Sequence, residues 1–345
     1  MEPDDVLLRR EGGLGRIVLN RPRAINALTH GMVTAIDTAL TEWAADDSVH
    51  AVVLTGAGER GLCAGGDIRG IHADIRAGGT ASADFWRAEY LLNASIARYP
   101  KPYVAIMDGI VMGGGVGLSA HGGVRVVTER TALAMPEVGI GLVPDVGGTY
   151  LLSRAPGELG THLALTASVV GAGDAVACGL ADHFVPAEHL ADFVDALAEG
   201  VDDAVRAFAR PVPAAEVAGE REWIDGCYAA DTVEEILDRL RDLGSPEAKD
   251  AAERILGKSP TAVKVTLRAL RRARDLPSLE EVLVQEYRVS TACLRSPDLV
   301  EGIRAQVVDK DRDPRWNPST LEEVDDETVE AFFAPLGERD LEVGR

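Results

Sequence analysis

The first half of the chain moves between two hydrophobic rhythms. Short apolar runs, RIVLN at residues 16–20, AVVLT at 51–55 and PYVAIM at 102–107, are too brief for helices and predict buried strands. Between the first two, Met32, Ile36, Leu40 and Trp43 recur at helical spacing and predict one apolar helix face. Strands that feed helices through glycine-rich turns form the α/β pattern. VRVVT at 124–128 continues it, and a last short strand is expected at 183–185. Beyond about residue 200 strand signals stop and helix starts take over. Thr232 with Glu235 and Ser278 with Glu281 fit the capping box, and Ser259 sits as an N-cap ahead of Pro260 at the first helical position. The expected organisation is an α/β core over residues 1–200 and a helical region over 201–345, whose acidic tail carries a short helical pattern at 320–333.

Composition narrows the class. A chain of 345 residues with 46% hydrophobic content can bury a substantial core, which excludes disorder. Its formal net charge of -21 argues against a nucleic-acid or anionic-membrane partner. The longest apolar stretch, 103–120, is broken by Asp108 and five glycines, so no membrane span is expected. Cys63, Cys178, Cys227 and Cys293 lack paired spacing, and MEPDDVLLRR has neither the basic start nor the apolar segment of a signal peptide, so a reducing, cytoplasmic setting is expected. Neither these cysteines nor the seven histidines show metal-ligand spacing, and no metal is expected. An anionic ligand would need local cations. In SPTAVKVTLRALRRAR, Lys264, Arg268, Arg271 and Arg272 share a helix face, with Lys258 and Arg274 at its ends. That face is either solvated or an anion site.

Candidate chemistry begins with MPEVGIGLVPDVGG at 135–148, where Glu137 and Asp145 stand among apolar residues, glycine and proline. Ionised side chains resist such surroundings, so these acids are either turn or helix caps, Asp145 standing just before a plausible helix start at Val146, or functional groups. Two loops, GAGERGLCAGGDI and MDGIVMGGGVGLSA, follow predicted strands and put flexible backbone at strand carboxyl ends, where α/β sheets bind ligands. Glycine lets a ligand approach closely, and a helix opening there adds unpaired N–H donors suited to an oxygen that becomes negative.

Rival motifs are weaker. Gly115, Gly117 and Ala120 imitate a dinucleotide fingerprint, but late in the chain and with Glu137 in a loop. The nucleophile-elbow pattern around Ser119 fails, since its second glycine position is His121, which reads as a structural histidine. Cys63 reads as a small buried hydrophobe.

NRPRAINAL (20–28), CAGGDI (63–68), MDGIVMGGGVGL (107–118) and MPEVGIGLVPDVGG, in this order and spacing, resemble the crotonase (enoyl-CoA hydratase/isomerase) superfamily. The resemblance implies a spiral of ββα units, an acyl-CoA ligand and a backbone oxyanion hole at Gly66 and Gly114. It also implies that Arg23, Ala64, Gly65, Gly66, Asp67 and Ile68 contact CoA. Hydratases of the superfamily carry two glutamates, the first in a GGGxE pattern and the second in xPE; here the second is Glu137 and the first position is Gly117. Water addition is thereby short of one acid–base partner. The combination of GGGVGLSAHG, AMPEVGIGLVPDVGG and LALT, continued by DTVEEIL, SPTAVKVTLRAL, EYRVSTAC and EGIRAQVVDKDRDPRW, is similar to the 3-hydroxyisobutyryl-CoA hydrolase branch, thioesterases of valine breakdown. In that branch the substrate-contacting positions correspond to Glu89, Gly114, Glu137 and Asp145.

The resemblance implies a thioester hydrolase with Glu137 as nucleophile or general base, Asp145 orienting the substrate hydroxyl or activating water, and Gly66 and Gly114 stabilising the oxyanion. No cofactor beyond the CoA of the substrate is expected. By family analogy the chain forms a homo-oligomer, a trimer being the common case. A hydratase or isomerase with Asp145 in place of the missing glutamate, and an acyl-CoA-binding protein without turnover, remain the competing functions.

Overall fold

The computed structural model of the protein describes residues 5–344. In chain order its elements are β1 (Val6–Glu11), β2 (Leu14–Leu19), α1 (His30–Ala45), β3 (Ala51–Gly56), α2 (Ile68–Ala77), α3 (Ala81–Ala97), β4 (Tyr103–Met107), β5 (Ile110–Met112), α4 (Gly114–Ser119), β6 (Val124–Val127), β7 (Ala132–Ala134), α5 (Gly148–Ser153), α6 (Leu159–Thr166), α7 (Ala172–Ala177), β8 (His183–Phe184), α8 (Leu190–Ala196) and α9 (Val201–Phe208). Helices alone follow among the described residues: α10 (Arg221–Tyr228), α11 (Val233–Leu243), α12 (Pro246–Leu256), α13 (Pro260–Asp275), α14 (Leu279–Cys293), α15 (Pro297–Ile303) and α16 (Asp326–Ala331), with short turns between them.

Two compact units interleave along the sequence. The first holds the chain up to Asp67, Ala88–Ala134 and Val169–Glu216; the second holds Ile68–Arg87, Met135–Ser168 and everything from Val217. The expected division at residue 200 differs from this, because the Ile68–Arg87 and Met135–Ser168 segments group with the C-terminal helices. A boundary read along the chain cannot register such returns.

In the first unit a six-stranded sheet runs in the order β1-β2-β3-β4-β6-β8, with β1 antiparallel to β2 and the other pairs parallel. The β1–β2 hairpin turns on Gly12 and Gly13, both at positive φ (57° and 82°), the conformation a two-residue hairpin requires. β3 is buried along Ala51–Leu54, so it reads as an unbroken apolar run. One sheet face packs Leu14, Val53, Val104, Ile106 and Val126 against Phe193 and Ala204 of α8 and α9. β5 and β7 form a separate two-stranded parallel sheet.

In the second unit the expected helix starts are observed. Thr232 accepts the Glu235 N–H (3.2 Å), Ser278 that of Glu281 (3.3 Å) and Ser259 that of Ala262 (3.0 Å). The cations of α13 are engaged in ion pairs, though Arg268, Arg272 and Arg274 keep part of their side chains in solvent. Lys264 pairs with Glu234 (2.5 Å), Arg268 and Arg272 with Glu330 of α16, and Arg271 and Arg274 with Glu158 (2.8 and 2.9 Å). Through Arg268 and Arg272 this face holds α16 of the acidic tail. Of the flanking group, Lys258 stands beside the turn at Gly139, and burial lowers its ammonium pKa.

His162 of α6 is buried, with its Nδ1 2.9 Å from the Tyr228 hydroxyl and its ring edge-on to Trp223 and Tyr228. Burial holds its pKa down at about 4. The unfolded chain therefore takes up this proton first, near pH 6.5, so the contribution is complete above pH 6.5 and is lost as pH falls through about 4. Chemical denaturation across that window is expected to show a loss of about 3 kcal/mol in the native protein that is absent in His162→Asn.

Candidate active site

In the first unit two backbone segments converge. After β3 the chain loops back, so that Cys63 N–H donates to Ile110 O (3.1 Å) and Met112 N–H to Cys63 O (2.9 Å), which lays the loop along β5. On its other side Leu28 N–H donates to Gly65 O (2.8 Å) and Asp67 N–H to Leu28 O (2.8 Å). In such a parallel bridge the residue between the two bonded positions turns its own N–H away from the partner strand, and that residue is Gly66. Gly114 opens α4, so its N–H has no acceptor within the helix. A Cβ on Gly114 would stand 3.5 Å from the Gly66 nitrogen, 3.0 Å from Leu28 Cδ1 and 2.4 Å from the Glu89 Oε1. The structure thus brings Gly66, Gly114 and Glu89 together. Gly65 (φ 105°) and Gly113 (φ 50°) take the left-handed turns that aim these segments.

The NRPRAINAL stretch braces this loop. Asn26, fully buried, accepts the Arg21 N–H (2.9 Å) and donates to the carbonyls of Ala57, Gly61 and Leu62 (3.1, 3.2 and 3.0 Å). Arg21 also pairs with Asp67 (3.0 Å). Of the expected CoA contacts, Arg23 and Ala64 are exposed, Gly65 is buried and Gly66 and Asp67 are half-buried, while Ile68 opens α2 and belongs to the second unit. The Cys63 thiol is buried and its pKa pushed up to about 12, which leaves it inert at neutral pH. Asn93, one turn beyond Glu89 on α3, is also fully buried and neither atom of its amide finds a partner. Sequence reasoning passed over Asn26 and Asn93; a polar residue one helical turn from Glu89 was the available signal for the latter.

In the second unit the chain enters a single 3-10 turn at Glu137–Ile140 and leaves it through Gly141 (φ 74°), with Leu142 N–H donating to Glu137 O (3.0 Å). Gly302 of α15 backs this turn so closely that a Cβ there would lie 2.4 Å from the Ile140 carbonyl carbon. Glu137 is 6% and Asp145 5% exposed, so both acids are buried as the apolar loop predicts. Asp145 is not the N-cap residue of α5. The N-cap is Gly147 and no side chain on it bonds the helix; Val146 (φ 53°) and Gly147 (φ 80°) turn left-handed first, with Gly148 N–H donating to Asp145 O (2.6 Å). The capping carboxylate comes from Glu286 of α14, which sequence reasoning also passed over. Its signal was an acid on the buried stripe formed by Val282, Leu283, Val289 and Cys293.

The enoyl-CoA hydratase/isomerase family model matches residues 14–333, nearly the whole chain. The chain belongs to the enoyl-CoA hydratase/isomerase family. Within that family, it is 43% identical to a Gallus gallus protein named mitochondrial 3-hydroxyisobutyryl-CoA hydrolase, over 98% of this chain and 91% of that one. The Homo sapiens protein of the same name is 41% identical, over 98% and 90%. Among solved structures, one described as a carnitinyl-CoA dehydratase from Mycobacterium thermoresistibile is 57% identical with a TM-score of 0.96, covering 99% of both chains. One described as an enoyl-CoA hydratase from Rhodobacter sphaeroides 2.4.1 is 44% identical with a TM-score of 0.91, covering 98% of this chain and 99% of its own. The crotonase fold of the family is therefore the fold of this chain. No helix among the described residues is long and apolar enough to cross a membrane.

The family's hydratase pattern asks for a glutamate where this member has Gly117. That residue is buried inside α4, and α4 offers only Gly114, Gly115, Val116, Gly117, Leu118 and Ser119. The Ser119 hydroxyl is spent on the Gly115 carbonyl (2.6 Å), so α4 contributes no acid–base group.

Proposed function

We propose that this protein is a thioester hydrolase that releases CoA from 3-hydroxyisobutyryl-CoA or a similar short 3-hydroxyacyl-CoA, a step of valine breakdown. The observation that carries the reading is Gly117 in the position where a hydratase holds its first glutamate, while Glu137 and Asp145 are both retained and buried. The hydrolase names of the full-length relatives point the same way.

In this reading the Gly66 and Gly114 N–H groups donate to the thioester oxygen as it becomes negative, a contribution of several kcal/mol from preorganised donors. Glu137 attacks the carbonyl carbon, the C–S bond breaks, and CoA leaves as thiolate; water then opens the resulting anhydride. Asp145 orients the substrate hydroxyl or carries the proton of that water. Turnover in isotopically heavy water that leaves label in the Glu137 side chain marks this covalent route, because a general base passes the water oxygen only to the product. All four cysteines are buried free thiols, which suits a reducing compartment. The relatives' names give theirs as mitochondrial.

A second reading, hydration or dehydration, has the descriptions of the two solved structures in its favour. An acyl panel separates the two. Thiol release is expected from 3-hydroxyisobutyryl-CoA and only weakly from isobutyryl-CoA, whose missing hydroxyl leaves a buried polar partner unpaired; loss of the conjugated chromophore of crotonyl-CoA without thiol release would favour hydration.

A further inference from the structure

We propose that Glu286 is a positioning residue for Asp145: from the buried face of α14 its carboxylate holds the backbone after Asp145 in the conformation that fixes where that acid points. The inference rests on the role given above to Asp145. Glu286 is 1% exposed. Its Oε2 accepts the Gly147 N–H (2.6 Å), and its Oε1 accepts both the Thr149 N–H (2.8 Å) and the Thr149 hydroxyl (2.6 Å). All three donors lie within four residues of Asp145.

That backbone needs holding. Val146 sits at φ 53°, a left-handed conformation that a β-branched residue adopts only where its surroundings over-determine it. Gly147 follows at φ 80°, and the turn closes through Gly148 N–H to Asp145 O. An apolar residue at 286 would leave the Gly147 and Thr149 N–H groups buried and unpaired. An amide would present its NH₂ to at least one group that is itself a donor. A carboxylate alone satisfies all three.

A purely structural cap for a six-residue helix does not require a buried acid beside another acid. Burial and the charge of Asp145 both raise the pKa of Glu286, while the bonds from Thr149 and Gly147 favour its ionised form. The fold accepts this electrostatic penalty at the one loop that carries Asp145.

The test is a cycle of Glu286→Gln, Asp145→Asn and the double variant in the full-length protein, read as kcat and KM for thiol release from 3-hydroxyisobutyryl-CoA, with amide hydrogen exchange at Gly147 and Thr149 followed in parallel. If Glu286 acts through Asp145, Glu286→Gln lowers kcat about a hundred-fold with KM nearly unchanged. The double variant is then no slower than Asp145→Asn, and exchange at the two amides is faster. Losses that multiply, an unchanged kcat, or unchanged exchange at Gly147 and Thr149 would each overturn the inference. Absence of thiol release by the unaltered protein would instead overturn the hydrolase reading, while the exchange data still decide whether Glu286 holds the loop. Should Glu286→Gln not fold, Thr149→Val removes one of the three donors and is expected to give a smaller kcat loss, again non-additive with Asp145→Asn; an unchanged kcat there would overturn the inference.

Discussion

Replacing Glu137 with Gln is expected to lower kcat for thiol release by about 10⁴-fold, the upper end of what one proton-transferring group contributes and a modest figure for a nucleophile. The amide is nearly isosteric, so the 3-10 turn at Glu137–Ile140, held by backbone bonds to the Glu137 carbonyl, keeps its shape. Acyl-CoA affinity should change little. The thermal midpoint should hold or rise, since burying a neutral amide is easier than burying a carboxylate at 6% exposure. Steady-state thiol release, calorimetric binding of a non-hydrolysable acyl-CoA thioether and a thermal melt together check this. A variant that turned over normally would remove Glu137 from the chemistry.

Gly114→Ala should cost about 10²–10³-fold in kcat, the range for loss of one oxyanion donor. Gly114 lies in α4 with an ordinary helical φ, so alanine is not excluded by the backbone there, unlike at Gly113 with φ 50°. What excludes it is space: the methyl carbon would meet Glu89 Oε1 at 2.4 Å and Leu28 Cδ1 at 3.0 Å. Glu89 is 2% exposed and has little room to retreat, so α4 must shift and carry the Gly114 N–H with it. The neighbouring Gly115→Ala would press on the Cys63 carbonyl oxygen at 2.5 Å, backbone that cannot rotate away, and should lower stability as well as activity. A melt beside the kinetics separates the two effects: Gly114→Ala is expected to lose rate far more than stability.

What the sequence made legible follows from periodicity. The runs at Ala51–Gly56 and Tyr103–Met107 are central parallel strands buried on both faces, so composition alone marks them. β1 (VLLRRE) escaped because it is an antiparallel edge whose last three residues are exposed; the Gly12-Gly13 pair between it and β2 was the missed hairpin signal. β5 and β7, three residues each, are set by pairing with distant chain that no local window contains. Glu137 and Asp145 were legible because acids in an apolar loop are anomalous. Glu286 stood on a legible apolar stripe, but its three donors lie too far away in sequence for its role to be read there. For the α13 cations the spacing marked a charged face correctly, but their partners Glu158, Glu234 and Glu330, remote in sequence, could not be read from any local window.

The most direct measurement gives the protein a single substrate with two possible fates. On incubation with 3-hydroxyisobutyryl-CoA, a hydrolase yields one free CoA thiol for each 3-hydroxyisobutyrate, whereas a dehydratase yields a conjugated enoyl-CoA with the thioester intact. Thiol titration alongside chromatography of the CoA species reads both at once. Hydrolysis through Glu137 gives equal amounts of thiol and free hydroxy acid and no enoyl-CoA; accumulation of the enoyl thioester without thiol would contradict it.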